Sequence, residues 1–101
     1  MKYLILAPDY TGSCLIDEYK GEIQIEKLNL LKGDEDRIKR WHEEYRKIIP
    51  LSPERRSFLS KEIDRLDIEG LEIIDILKKS LKEDVKIKYF SEGKQSFLKF
   101  N

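Results

Sequence analysis

The sequence predicts an α/β (α+β) fold, a two-layer sandwich in which two main helices cover one face of a small mixed sheet. Three stretches carry that prediction. Ile63, Leu66, Gly70, Ile73, Ile74, Leu77 and Leu81 fall within about 100° of one another at helical period, the width of a core-facing stripe. After them, Val85-Lys86-Ile87-Lys88-Tyr89-Phe90 alternates as a half-buried strand does. Near the N-terminus, Tyr3, Ile5 and Ala7 on one parity and Leu4 and Leu6 on the other make an apolar strand. It suits the middle of a sheet, or cover on both faces. A chain of 101 residues is expected to be one domain, 1–101, with a core large enough to stand without disulfides.

Pro8 closes the first strand, and Asp9-Tyr10-Thr11-Gly12-Ser13 follows as a turn-rich loop at its C-terminal end, where open α/β sheets place binding loops. One glycine, no Lys-Ser/Thr pair and no helix behind it argue against a phosphate loop. Leu15-Ile16-Asp17 and Glu22-Ile23-Gln24 flank Glu18-Tyr19-Lys20-Gly21. This reads as an edge hairpin with its glycine placed for positive φ. Ile25, Leu28, Leu30 and Leu31 lead as a loop to Asp34, the expected cap of a helix over 34–49. The core stripe of that helix is Ile38, Trp41, Tyr45 and Ile48 or Ile49.

Ser52-Pro53 predicts a short helix or turn over 53–59, with serine as cap and proline at the first helical position. The long stripe behind it allows one helix from Ser60 to Lys82 or a restart at Asp67. Acids just after Asp67 and lysines at 78, 79 and 82 suit a helix dipole that begins there, which favours the restart. Gly70 sits mid-stripe, where glycine costs about 1 kcal/mol relative to alanine; it predicts close approach of another element. Ile68 and Leu71 lie off the stripe. Strands 85–90 and 96–100 are joined by Ser91 to Gln95 as a hairpin, and strand 85–90 is expected beside strand 2–7, parallel to it.

Charged residues make up 40% of the chain and cancel to a formal net charge of zero, which disfavours a strongly basic nucleic-acid binder. The distribution is uneven. Residues 52–77 carry four basic and seven acidic side chains, whereas residues 78–101 carry seven basic and three acidic. The single Cys14 forms no intramolecular disulfide, and one cysteine with one histidine makes none of the usual zinc sites. No cofactor or metal is expected. A reducing cytoplasm fits, since the N-terminal apolar run is too short for a signal segment and no membrane span is present.

Cys14 and His42 form the one nucleophile–base pair the composition permits, but no local signature joins them. Cys14 reads as a small buried hydrophobe and His42, about 100° from its stripe centre, as a half-exposed surface residue. Asp9, Asp17, Glu18 and Glu22 could gather near the first loop, although solvated turn carboxylates are the simpler reading. Lys86, Lys88 and Phe90 share one parity, and Phe97 shares a face with Lys99. Aromatics among lysines on an open sheet face can stack bases and hold phosphates, which gives the alternative of a nucleic-acid or acidic-partner binder.

A longer pattern runs through these elements: Leu15-x-Asp17, Gly21, Leu28-x-Leu30, Ile38-x-x-Trp41-x-x-x-Tyr45, Gly70 near the start of a helix, and Val85-x-Ile87-x-Tyr89. It resembles small bacterial cytosolic proteins, some encoded as immunity proteins beside secreted or contact-dependent toxins. The resemblance implies a non-enzymatic protein that binds and blocks a cognate toxin, and it carries over no functional residue. A basic, nuclease-like toxin is expected to meet the acidic side of the chain. The candidate contacts are Asp9, Asp17, Glu18, Glu22, Glu62, Asp64, Asp67, Glu69, Glu72 and Asp75.

Overall fold

A computed structural model describes residues 1–10, 12–81 and 84–98. Five strands form one sheet in the order β3-β2-β1-β4-β5, with β1 (Lys2–Leu6) at its centre. On one side β1 pairs antiparallel with β2 (Leu15–Asp17), which turns into β3 (Gly21–Ile23). On the other it runs parallel to β4 (Val85–Ser91), with Leu4 opposite Ile87 and Leu6 opposite Tyr89. A turn over 92–95 returns the chain as β5 (Ser96–Leu98). Residues 99 and 100 of the expected last strand lie outside the described residues.

The helical layer comprises α1 (Lys32–Arg46), α2 (Pro53–Ser57) and α3 (Ser60–Ser80), preceded by a 3-10 turn at Ile25–Leu28 where the sequence suggested only a loop. Strand parity decides which sheet face the helices cover. Leu4, Leu6, Leu15, Ile87 and Tyr89 are buried, and the Trp41 ring of α1 lies 6.3 Å from that of Tyr89. Trp41 is 1% exposed and its indole N–H donates to the Leu66 carbonyl of α3 at 2.8 Å, so one side chain joins both main helices to the sheet.

The apolar stripes behave as their periods require, and so do two glycines. Gly21 has φ of +92°, which suits the β2–β3 turn. A Cβ on Gly70 would run into the Tyr89 ring, so α3 lies directly on β4 there. Ser52 caps α2, its hydroxyl accepting from the Arg55 amide at 3.3 Å, with Pro53 at the first helical position.

Two helix starts differ from the sequence reading. The first helix begins at Lys32, so Asp34 lies inside its first turn and acts on the dipole rather than as a cap. It ends at Arg46, where the Ile48 amide donates to the Tyr45 carbonyl and tightens the chain into turns. The second correction concerns Asp67: α3 is continuous from Ser60, with no restart. Asp67 caps nothing because its carboxylate faces inward, where three hydroxyls donate to it.

Candidate functional site

The loop after β1 docks on α1 and leaves a cleft of about 490 Å³ lined by Ser13, Cys14, Glu22, Lys39, His42 and Arg46 among others. Cys14 and His42 therefore do share a site. Neither is arranged to react. Burial pushes the Cys14 thiol up to about 12, which keeps it protonated at neutral pH. His42 is buried, contrary to the half-exposed position its helical angle suggested, because the loop folds over it. Its Nε2 lies 3.0 Å from the Asp9 amide nitrogen and 2.8 Å from the Asp9 carbonyl oxygen. Burial first, and the Arg46 charge in addition, lower its pKa below 6.5, so the neutral ring can accept from the Asp9 N–H.

Arg46 completes the clamp, its guanidinium donating to the carbonyls of Asp9 at 3.2 Å and Gly12 at 3.3 Å and to the Glu43 carboxylate at 2.7 Å. Glu22 accepts from the Ser13 amide at 3.0 Å. The cleft is thus a loop anchor whose polar groups serve one another. Among the described residues no group of three or more His, Cys, Asp and Glu is placed to hold a metal ion.

The acidic candidates separate into distinct environments. Asp17 is 5% exposed and accepts from the amides of Tyr19 at 2.8 Å and Lys20 at 3.1 Å, closing the β2–β3 turn. Asp67, 2% exposed, accepts from Tyr45 at 2.8 Å, Tyr89 at 2.7 Å and Ser91 at 2.7 Å. Neither presents a carboxylate to a partner. Burial raises the Tyr45 and Tyr89 pKa values, with the Asp67 charge adding to it, so both phenols remain donors. Asp9 and Glu22 approach one another around Gly12, while Glu18 reaches Lys88 at 3.6 Å on the opposite face of the sheet from the helices.

On α3, Glu62 pairs with Arg65 at 2.9 Å, Glu72 with Arg37 at 2.9 Å, Glu69 with Arg37 at 3.3 Å, and Asp64 with Lys94 at 2.9 Å. The acidic run in the sequence is therefore a mixed-charge surface in space. Asp75 is exposed on the same helix. Of the basic candidates, Lys86 and Lys88 are exposed on the helix-free sheet face with Phe90 and Phe97, whose rings meet edge to face at 5.1 Å. Lys99 lies outside the described residues.

Sequence reasoning missed the arginine clips. Arg56 donates to the carbonyls of Ile49, Leu51 and Glu92, tying the α1–α2 connection to the β4–β5 turn. Only the arrival of carbonyls from remote segments gives these guanidinium groups their role.

Fold and site together define a small two-layer α/β protein whose clefts are satisfied from within and whose distinctive features lie on its charged exterior. No described helix is long and apolar enough to cross a membrane. The chain belongs to the Serratia CdiI immunity protein-like family, whose model matches residues 2–92. Comparison with curated proteins and with solved structures gives no match. The match spans every element from β1 to β4, and so extends beyond the segment from Leu15 to Tyr89 that carries the resemblance.

Proposed function

We propose that this protein binds a cognate bacterial toxin in the cytoplasm and neutralises it by covering the surface the toxin needs for activity. The observation that carries this reading is the family match across residues 2–92. The site geometry supports it, because the thiol and imidazole that could perform chemistry are fixed as structural groups. Blocking requires a preformed surface with steering charges and a few anchors, and no reactive group.

For a basic toxin, the proposed contacts are the exposed and half-exposed acids: Glu62, Asp64, Glu69, Glu72 and Asp75 on α3, with Asp9, Glu18 and Glu22 at the β1–β3 end. Arg37 and Arg65 hold several α3 carboxylates in place, so less side-chain freedom is lost when a partner arrives. Exposed Ile68 lies among them as an apolar anchor.

The test is calorimetric titration of the purified chain with the toxin domain encoded beside it, alongside protection of cells expressing that toxin. Wild-type protein should bind and protect. Changing Glu62, Glu69 and Glu72 together to Gln should weaken binding at least about tenfold, or about 1.4 kcal/mol. Changing Lys86, Lys88 and Lys99 together to Gln should leave protection intact. If the lysine change destroys protection while unfolding stays cooperative, the acidic surface is the wrong one. A wild-type chain that neither binds nor protects overturns the immunity reading. Steeply salt-dependent binding to single-stranded nucleic acid, lost in the lysine variant, would put the alternative in its place.

A further inference from the structure

Helices cover one face of the sheet, and the side chains of the other face are sorted by strand. The central β1 contributes Tyr3 and Ile5, with Ala7 just past its end, all half-buried. On one side of it β4 carries Lys86 beside Tyr3 and Lys88 beside Ile5. On the other side, Ile16 pairs with Ile5 and then with Glu22 of β3. Glu18, whose amide donates to the Tyr3 carbonyl at 2.9 Å, extends the Tyr3 row. Two rows therefore cross the face, Lys86–Tyr3–Glu18 and Lys88–Ile5–Ile16; Glu22 follows Ile16 in register, but its carboxylate accepts from the Ser13 amide and lines the cleft beside α1. The face is thus basic on β4, apolar along β1 and acidic at Glu18 beyond β2, and within one chain Lys88 Nζ lies 3.6 Å from the Glu18 carboxylate.

We propose that this face is where two copies of the chain meet, sheet against sheet, about a two-fold axis that runs along β1. Strand order is β3-β2-β1-β4-β5, so a rotation about β1 lays β4 of one copy over β2 of the other. Lys86 then stands over Glu18 of the second copy, whose own Lys88 lies on the other side of that carboxylate at 3.6 Å. Tyr3 and Ile5 meet their own equivalents on the axis. Aligned sheets pack about 10 Å apart with their inner side chains interleaved, which is how the apolar column would be covered. A two-fold across the strands would instead set β4 on β4 and lysine against lysine. The charge pattern thus selects both the partner and the axis.

Two general features agree with self-association. The chain has zero formal net charge, so no overall repulsion opposes the approach of a second copy. Phe97, 55% exposed beside Phe90, extends the apolar surface toward the β5 edge. A nucleic acid would fit less well, since Glu18 lies on the same face as the lysines, 3.6 Å from Lys88, and repels phosphate. The pairing leaves the α3 acids open and covers Glu18, so it is compatible with toxin contacts on α3 and excludes one at Glu18.

Sedimentation velocity across the micromolar range should find wild-type protein at twice the 12.1 kDa chain mass. Lys86→Glu and Glu18→Lys should each give monomer, because each places like charges over one another twice per pair. An equimolar mixture of the two should recover a mixed dimer, since the altered positions then face each other with opposite sign. A wild-type chain that stays monomeric overturns the proposal, as does a dimer that survives both substitutions or a mixture that does not recover. A second measurement needs no variant. Acylation of Lys86 and Lys88 in the wild-type chain should slow with rising protein concentration relative to exposed Lys61 of α3; equal slowing, or none, counts against this face.

Discussion

Asp67 stands on the apolar stripe of α3, four residues after Ile63 and three before Gly70, and is as buried as the leucines around it. A carboxylate is tolerated there because Tyr45, Tyr89 and Ser91 bring three hydroxyl donors, while Lys94 lies 3.7 Å from its second oxygen. The network also grips the β4–β5 turn, since the Gly93 amide donates to the Tyr45 hydroxyl at 2.9 Å and the Lys94 amide to Ser91 Oγ at 3.1 Å. Asp67→Ala should cost about 3 to 5 kcal/mol, as several buried hydroxyls lose an acceptor at about 1 to 3 each. Asp67→Asn should cost less, because one oxygen acceptor remains. Urea denaturation of both variants checks this, and a small change in midpoint for Asp67→Ala would show that the network contributes little. The signal was present in the sequence as an acid on an apolar stripe. Its meaning depended on Tyr45, Tyr89 and Ser91, which converge on it from other elements.

At the scale of elements, α3 illustrates how packing overrides a local signal. Acid-to-base polarity around Asp67 gave it the look of a helix start, yet the helix passes through without interruption. Each capping interaction is worth about 1 kcal/mol, whereas the turns from Ser60 to Leu66 bury Ile63 and Leu66 at about 1.5 to 3 kcal/mol each. The continuous helix wins by that margin. Gly70 reads the other way, because an unfavourable helix residue is the favourable packing residue. Gly70→Ala should destabilise by about 1 to 3 kcal/mol through overlap with the Tyr89 ring. Helix propensity alone would make the same change stabilising by about 1 kcal/mol. The sign of the shift in thermal midpoint decides between them, and a rise would mean that α3 and β4 separate more easily than this contact implies.

At the scale of the molecule, β1 is paired on both sides and its Leu4 and Leu6 are sealed under the helices, whereas β3 and β5 are three-residue edge strands. Amide exchange should follow that arrangement. The slowest amides should be those of β1 and the middle of β4, opening only with global unfolding, and those of β3 should exchange through local opening. Uniform protection across the sheet would contradict this ordering. The sequence by itself determined the two-layer α/β class, the strands, the stripes, the Ser52 cap and the close contact at Gly70, because period and turn chemistry act over a few residues. The two-sided apolarity of β1 was legible as centrality, although helices cover only one of its faces. What the tertiary structure alone decided is which charges are available. Asp17 and Asp67 are withdrawn into hydrogen bonds, His42 is covered by a loop, and the α3 acids are interleaved with arginines from two helices. A carboxylate's role depends on which donors reach it from remote parts of the chain, and only the folded arrangement brings those donors within about 3 Å.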